Sequence, residues 1–130
     1  MNAASTIQLW LKQIIDNSVL SVNSTVPAYE AAKLMEESKT GAIVVLENQV
    51  PVGLVTNKDL TIKLIAHSYP SDTPLRRIMS SPLISITPQT DLKTAAELMS
   101  SRKIRKLPVI DDDEVIGIVV ASEISQIENS

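Results

Sequence analysis

Apolar and polar positions follow two rhythms along this chain, and the rhythms recur. Leu20-Ser21-Val22 alternates with a period of two, which predicts a short strand. Between Pro27 and Ser38 the apolar positions Ala31, Leu34 and Met35 are spaced by three or four, which predicts a helix. Pro27 suits its first turn, where the missing N–H is not required. Two apolar runs follow, Ala42–Glu47 and Val50–Val55, joined by the polar pair Asn48-Gln49. They read as a hairpin whose near-continuous apolar strands are buried on both faces. Thr56 then caps a helix near Asn57–His67.

The same series returns downstream. Ile84-Ser85-Ile86 predicts a strand, and Asp91–Arg102 a helix with Thr90 as its N-cap. Leu107–Ile110 and Val115–Val120 flank the turn Asp111-Asp112-Asp113-Glu114, and a shorter helix closes the chain near Ser122–Ile127. Ala31-Ala32-Lys33-Leu34-Met35 matches Ala95-Ala96-Glu97-Leu98-Met99, and Gly53-Leu54-Val55 matches Gly117-Ile118-Val119. Both matches share an ungapped offset of 64 residues (95 − 31 and 117 − 53). Even the lead-in residues Leu11, Ile14 and Ile15 correspond to Leu75, Ile78 and Met79.

The expected fold is therefore α+β: tandem β-α-β-β-α repeats packed face to face with pseudo-two-fold symmetry. Each small sheet alone would leave a face uncovered, which explains the pairing. The expected division is an N-terminal extension over 1–10, a first domain over 11–68, a linker over 69–74 and a second domain over 75–130. Thr6–Asn17 reads as an amphipathic helix with Ile7, Trp10, Leu11, Ile14 and Ile15 on one side. Trp10 belongs either at a dimer contact or against its own domain.

Composition narrows the function. A net charge of −3 and 2% aromatic residues argue against a general nucleic-acid surface. No apolar run is long enough to span a bilayer, and no signal peptide is evident at the N-terminus. The chain has no cysteine, which removes disulfides and thiolate chemistry and fits a cytoplasmic protein. The single histidine, His67, reads as a helix-end residue suited to the dipole. Asp111–Glu114 reads as a solvated turn, because an EF-hand needs a longer, spaced loop. No nucleophile elbow or base-paired nucleophile is visible, so no enzyme activity is expected.

The two copies differ where chemistry would sit. The first carries Gly53-x-x-Thr56-x-x-Asp59. The Thr56 hydroxyl can cap a helix or donate to an anion beside free N–H groups, and Asp59 can accept both hydroxyls of a vicinal diol such as ribose. An ordinary N-cap with a dipole-facing aspartate is the plain alternative. The second copy has Val120 and Glu123 there, losing the hydroxyl and displacing the charge. Arg102-Lys103-Ile104-Arg105-Lys106 is basic where the first copy has the small Thr40-Gly41-Ala42. It reads either as a solvated face or as a phosphate-neutralising element.

Ala-Ala-x-Leu-Met in a tandem repeat, with Leu107-Pro108-Val109-Ile110-Asp111 and Gly53-Leu54-Val55-Thr56-Asn57-Lys58-Asp59, resembles the CBS-domain family, whose paired form is the Bateman module. The resemblance implies a regulatory module without a cofactor. It would sense AMP, ADP or ATP, ahead of S-adenosylmethionine, in clefts between the two domains and signal to a regulated protein. It implies a main cleft of Thr56, Asp59, Leu54, Met79, Ile84, Ile104, Arg105 and Lys106, with ribose-side groups from the first copy and base- and phosphate-side groups from the second. A weaker cleft would hold Thr40, Gly41, Ala42, Leu20, Ile118 and Glu123. A homodimer is expected, with neither a membrane nor nucleic acid as partner. The alternative is a ligand-free dimerisation scaffold.

Overall fold

The computed structural model describes residues 20–122, which fall into two compact units, one within Ser18–Ile84 and the other within Ser85–Ser130. The expected helix around Trp10, and the last helix beyond Ser122, lie outside the described residues.

In the first unit, β1 (Leu20–Asn23) runs parallel to β2 (Ala42–Glu47), and β2 pairs antiparallel with β3 (Val50–Thr56). The helix α1 (Ala28–Ser38) follows β1. Ala28, Ala31 and Met35 of α1 meet Ile43, Val45 and Val55 of the sheet in one buried cluster. Ala42 and Val44 alternate with Ile43 and Val45 along β2, so they point to the other face, and they are buried as well. This is the two-faced burial that the continuous apolar run predicts.

Segment 69–74 is tied to α1 rather than looping freely. The Ala28 N–H donates to the Thr73 carbonyl and the Tyr29 N–H to that of Ser71, so two first-turn donors of α1 find acceptors there. A short 3-10 turn, Leu75–Arg77, then places Leu75 and Ile78 inside the same core cluster. Ser80 exchanges both backbone hydrogen bonds with Leu54, at 2.9 and 3.1 Å, on the outer edge of β3. Met79 lies over Gly53. A Cβ at Gly53 would stand 2.5 Å from the Met79 sulfur and 3.0 Å from the Ser80 carbonyl oxygen, and that oxygen is fixed by the ladder. Gly53→Ala is therefore expected to destabilise the protein by about 1–3 kcal/mol through overpacking. Chemical denaturation checks this, and Met79→Ala in the same chain should recover only part of the loss.

After β3, a single α-helical turn, α2 (Asn57–Leu60), passes into a π-helical segment, Thr61–Ala66, where a continuous α-helix to His67 is expected from sequence. The wider turn keeps Leu60 and Leu64 against the core and leads to Tyr69, whose ring lies near His67 and the Lys63 and Arg77 cations.

The second unit repeats the plan with one reduction. The helix α3 (Leu92–Arg102) buries Leu92, Ala95 and Met99, and β4 (Lys106–Asp111) pairs antiparallel with β5 (Glu114–Val120). Both hairpins shift register at the same place, after Val45 and after Val109. Both turn through two residues of positive φ, Asn48-Gln49 and Asp112-Asp113, as tight hairpins require.

The strand expected at Ile84–Ile86 is only an isolated bridge, Ile86 to Val109. Two prolines explain the correction. The Ser24 N–H donates to the Leu46 carbonyl in the first copy, but the matching residue is Pro88, which has no N–H. The Pro108 carbonyl accepts from the Ile86 N–H, so the side of Pro108 facing this segment lacks a donor too.

The N-cap of α3 is Asp91 rather than Thr90. Asp91 Oδ1 accepts the Thr94 N–H at 2.7 Å, while the Thr90 hydroxyl is occupied by the Thr87 N–H. Hydrogen bonds from Thr94, its side chain first and its backbone second, hold the Asp91 carboxyl below its ordinary range. A lowered carboxyl stabilises the fold above its unfolded-state value, and that contribution disappears as pH falls through the folded-state value. Asp91→Ala should therefore lower Tm at neutral pH, with the gap to wild type closing in strong acid. A melting series against pH measures it.

Candidate functional site

Thr56 ends β3 in an extended conformation and opens α2, so its hydroxyl overhangs the first turn. The Asp59 N–H donates to Thr56 Oγ1 at 3.3 Å. In return, Asp59 Oδ2 accepts the Thr56 N–H at 2.8 Å and the Thr56 hydroxyl at 3.0 Å. This reciprocal capping box uses both groups that the sequence singles out. Among the described residues the other oxygen, Oδ1, accepts one bond, from the Ser80 hydroxyl at 3.3 Å. Asp59 is half-buried, and its contact with Ser80 is exposed to solvent.

The N–H groups expected here for an anion are mostly occupied. Those of Thr56 and Asp59 serve the capping box, and the Asn57 N–H donates to the Gly41 carbonyl at 3.2 Å. Among the described residues, Lys58 is left as the remaining first-turn donor. As a phosphate cradle the turn is weak, whereas Asp59 Oδ1 keeps room to accept a hydroxyl group.

Leu54, Thr56, Asp59 and Met79 come together around β3. Leu54 is bonded to Ser80, Ser80 to Asp59, and Met79 covers Gly53. Ala42 lies opposite Thr56 in the β2–β3 register, with Thr40 and Gly41 just before it. Thr40 and Gly41 also line an open groove of about 350 Å³, with Met35, Lys39, Asn57 and Leu60 among its other walls. Leu20 begins β1, and Ile84 is half-buried at the end of this unit.

In the other unit, Ile104 and Lys106 are half-buried, Arg105 is exposed, and Ile118 is buried in β5 opposite Pro108. The Ala121 N–H donates to the Arg105 carbonyl at 2.8 Å, the counterpart of Asn57 to Gly41. Val120 brings no hydroxyl to this position, and Glu123 lies outside the described residues. Asp111–Glu114 is an exposed hairpin tip. Among the described residues no cluster of His, Asp or Glu could hold a metal ion, and no helix is long and apolar enough to cross a membrane.

Sequence reasoning misses Ser80. It stands 21 residues from Asp59, and only the pairing of its backbone with the edge of β3 brings its hydroxyl there.

Comparison with known proteins bears on this arrangement. The model of the family described as CBS domain matches residues 11–66 and again 75–128. The chain is 32% identical over 115 residues to the CBS domain-containing protein YhcV of Bacillus subtilis, spanning 88% of this chain and 82% of that one. It spans between 56% and 63% of three longer relatives. A protein with CBS domains from Burkholderia ambifaria superposes with a TM-score of 0.84 at 26% identity, over 95% of this chain and 93% of that one. The CBS domain pair of protein MJ0100, solved in complex with 5′-methylthioadenosine and S-adenosyl-L-methionine, superposes with a TM-score of 0.78 at 25% identity, over 92% and 94%.

Proposed function

The chain belongs to the CBS-domain family as a tandem pair, and from that premise we propose that it is a non-catalytic cytoplasmic sensor that binds an adenosine-containing ligand at Asp59 and signals occupancy to a partner protein. The observation that carries the reading is the second oxygen of Asp59. Oδ2 is saturated by Thr56, but among the described residues Oδ1 holds one long bond at an exposed position and can accept a ribose hydroxyl. The adenosyl ligands of the MJ0100 pair supply the chemical class. Phosphates of AMP, ADP or ATP would gain little from the first turn of α2, which has few N–H groups left to donate. The Asp59 site is the stronger of two, since Val120 cannot rebuild the box.

Titration calorimetry of ligand-stripped protein with AMP, ADP, ATP, S-adenosylmethionine and 5′-methylthioadenosine tests the reading. Binding of at least one supports it, and no heat with any of them overturns it.

The second reading, a ligand-free homodimeric scaffold, is favoured by Ile65, which is 76% exposed on the π-helical segment. A dimer that forms identically with and without nucleotide, combined with no nucleotide binding, would establish it.

A further inference from the structure

We propose that Ser80 competes with a bound diol for Asp59 and so sets how strongly this site prefers ribose to deoxyribose; the inference rests on the functional reading above. A carboxylate oxygen has room for about two hydrogen bonds. Oδ2 already accepts two from Thr56, both internal to the capping box. Among the described residues Oδ1 accepts only Ser80, at 3.3 Å, longer than an ordinary O–H···O bond. One ligand hydroxyl therefore fits on Oδ1 beside Ser80. Two hydroxyls fit only when Ser80 withdraws or the capping box opens.

Ser80 is the group that yields. Its one side-chain bond among the described residues is long and exposed, whereas opening the box removes acceptors from both a backbone N–H and a hydroxyl. Its backbone is held by both bonds to Leu54, so the hydroxyl can turn to solvent while the chain stays in place. Displacement then subtracts one hydrogen bond from the affinity of a vicinal diol and nothing from that of a single hydroxyl.

The experiment compares wild type, Ser80→Ala and Ser80→Thr by titration calorimetry with AMP and 5′-methylthioadenosine and with their 2′-deoxy counterparts. Ser80→Ala should bind the diol ligands about two- to tenfold more tightly, the equivalent of one ordinary hydrogen bond. Its affinity for the 2′-deoxy ligands should not change, and Ser80→Thr, which keeps the hydroxyl, should match wild type. Equal or weaker diol binding by Ser80→Ala, an equal gain for the deoxy ligands, or the same gain in Ser80→Thr overturns the inference and leaves the functional reading standing. No binding of any of these ligands, or of ADP, ATP and S-adenosylmethionine, by wild type or variant overturns the functional reading and the inference together. Thermal unfolding of both variants should match wild type, because the exposed bond holds no core element.

Discussion

Asp59→Ala is expected to weaken adenosyl-ligand binding by about 10- to 100-fold, since hydrogen bonds to a charged group contribute about 1.5–3 kcal/mol each. The same change removes the acceptor for the Thr56 N–H and hydroxyl, so it should also lower stability by about 0.5–2 kcal/mol through loss of the α2 cap. The two effects need separating. Thr56→Val breaks the capping box, keeps the carboxylate and reproduces the residue found at Val120. It should cost similar stability but much less affinity. Glu123→Ala should leave the main site close to wild type. Calorimetric titration of the three variants, each with its melting curve, decides. Equal losses of affinity in Thr56→Val and Asp59→Ala would show that the carboxylate acts only by holding the helix start.

The contrast also shows which parts of the site are legible in sequence. Thr56 and Asp59 are three residues apart, so one helical turn closes their geometry and spacing alone reveals it. Ser80 reaches Asp59 only because Leu54 pairs with it across the edge of β3, a long-range contact with no local signature. Ala42 sits opposite Thr56 by antiparallel register, although sequence reasoning assigns them to different clefts.

Fold elements divide in a similar way. Apolar period predicts α1, α3 and both hairpins, because burial of one helix face and both strand faces dictates that period. It does not reveal the π-helical segment, whose altered bonding leaves Leu60 and Leu64 at an ordinary helical spacing. The missing strand at Ile86 is written in the chain, but in the absent N–H groups of Pro88 and Pro108 rather than in hydrophobicity. Thr90 and Asp91 are both good caps, and only the geometry of the Thr94 N–H chooses between them.

Leu75→Ala is expected to destabilise the protein by about 2–5 kcal/mol, the range for deleting a large buried side chain. Leu75 is fully buried, yet it begins the second copy of the sequence repeat. It belongs to a cluster with Ala28, Ala31, Met35, Ile43, Val45 and Val55, all from the first copy. The unit of sequence and the unit of packing therefore differ: the repeat restarts near Leu75, while the compact unit extends to Ile84. The first core is completed by chain from beyond segment 69–74, held by Thr73 and Ser71 at the start of α1 and by Ser80 at the edge of β3. Denaturant unfolding of Leu75→Ala measures the loss. A loss below about 1 kcal/mol would mean that the cluster closes around the gap and that residues 75–78 are not needed for this core. The size of the loss also bears on signalling. Asp59, Ser80 and Leu75 are joined through one short segment, so a ligand that displaces the Ser80 hydroxyl acts on chain already anchored in the core. A tight anchor confines the response to the side chain, and Leu75→Ala should let it spread to the backbone. Amide exchange at Ser80 and Leu54 should then become sensitive to ligand in the variant while remaining slow in wild type.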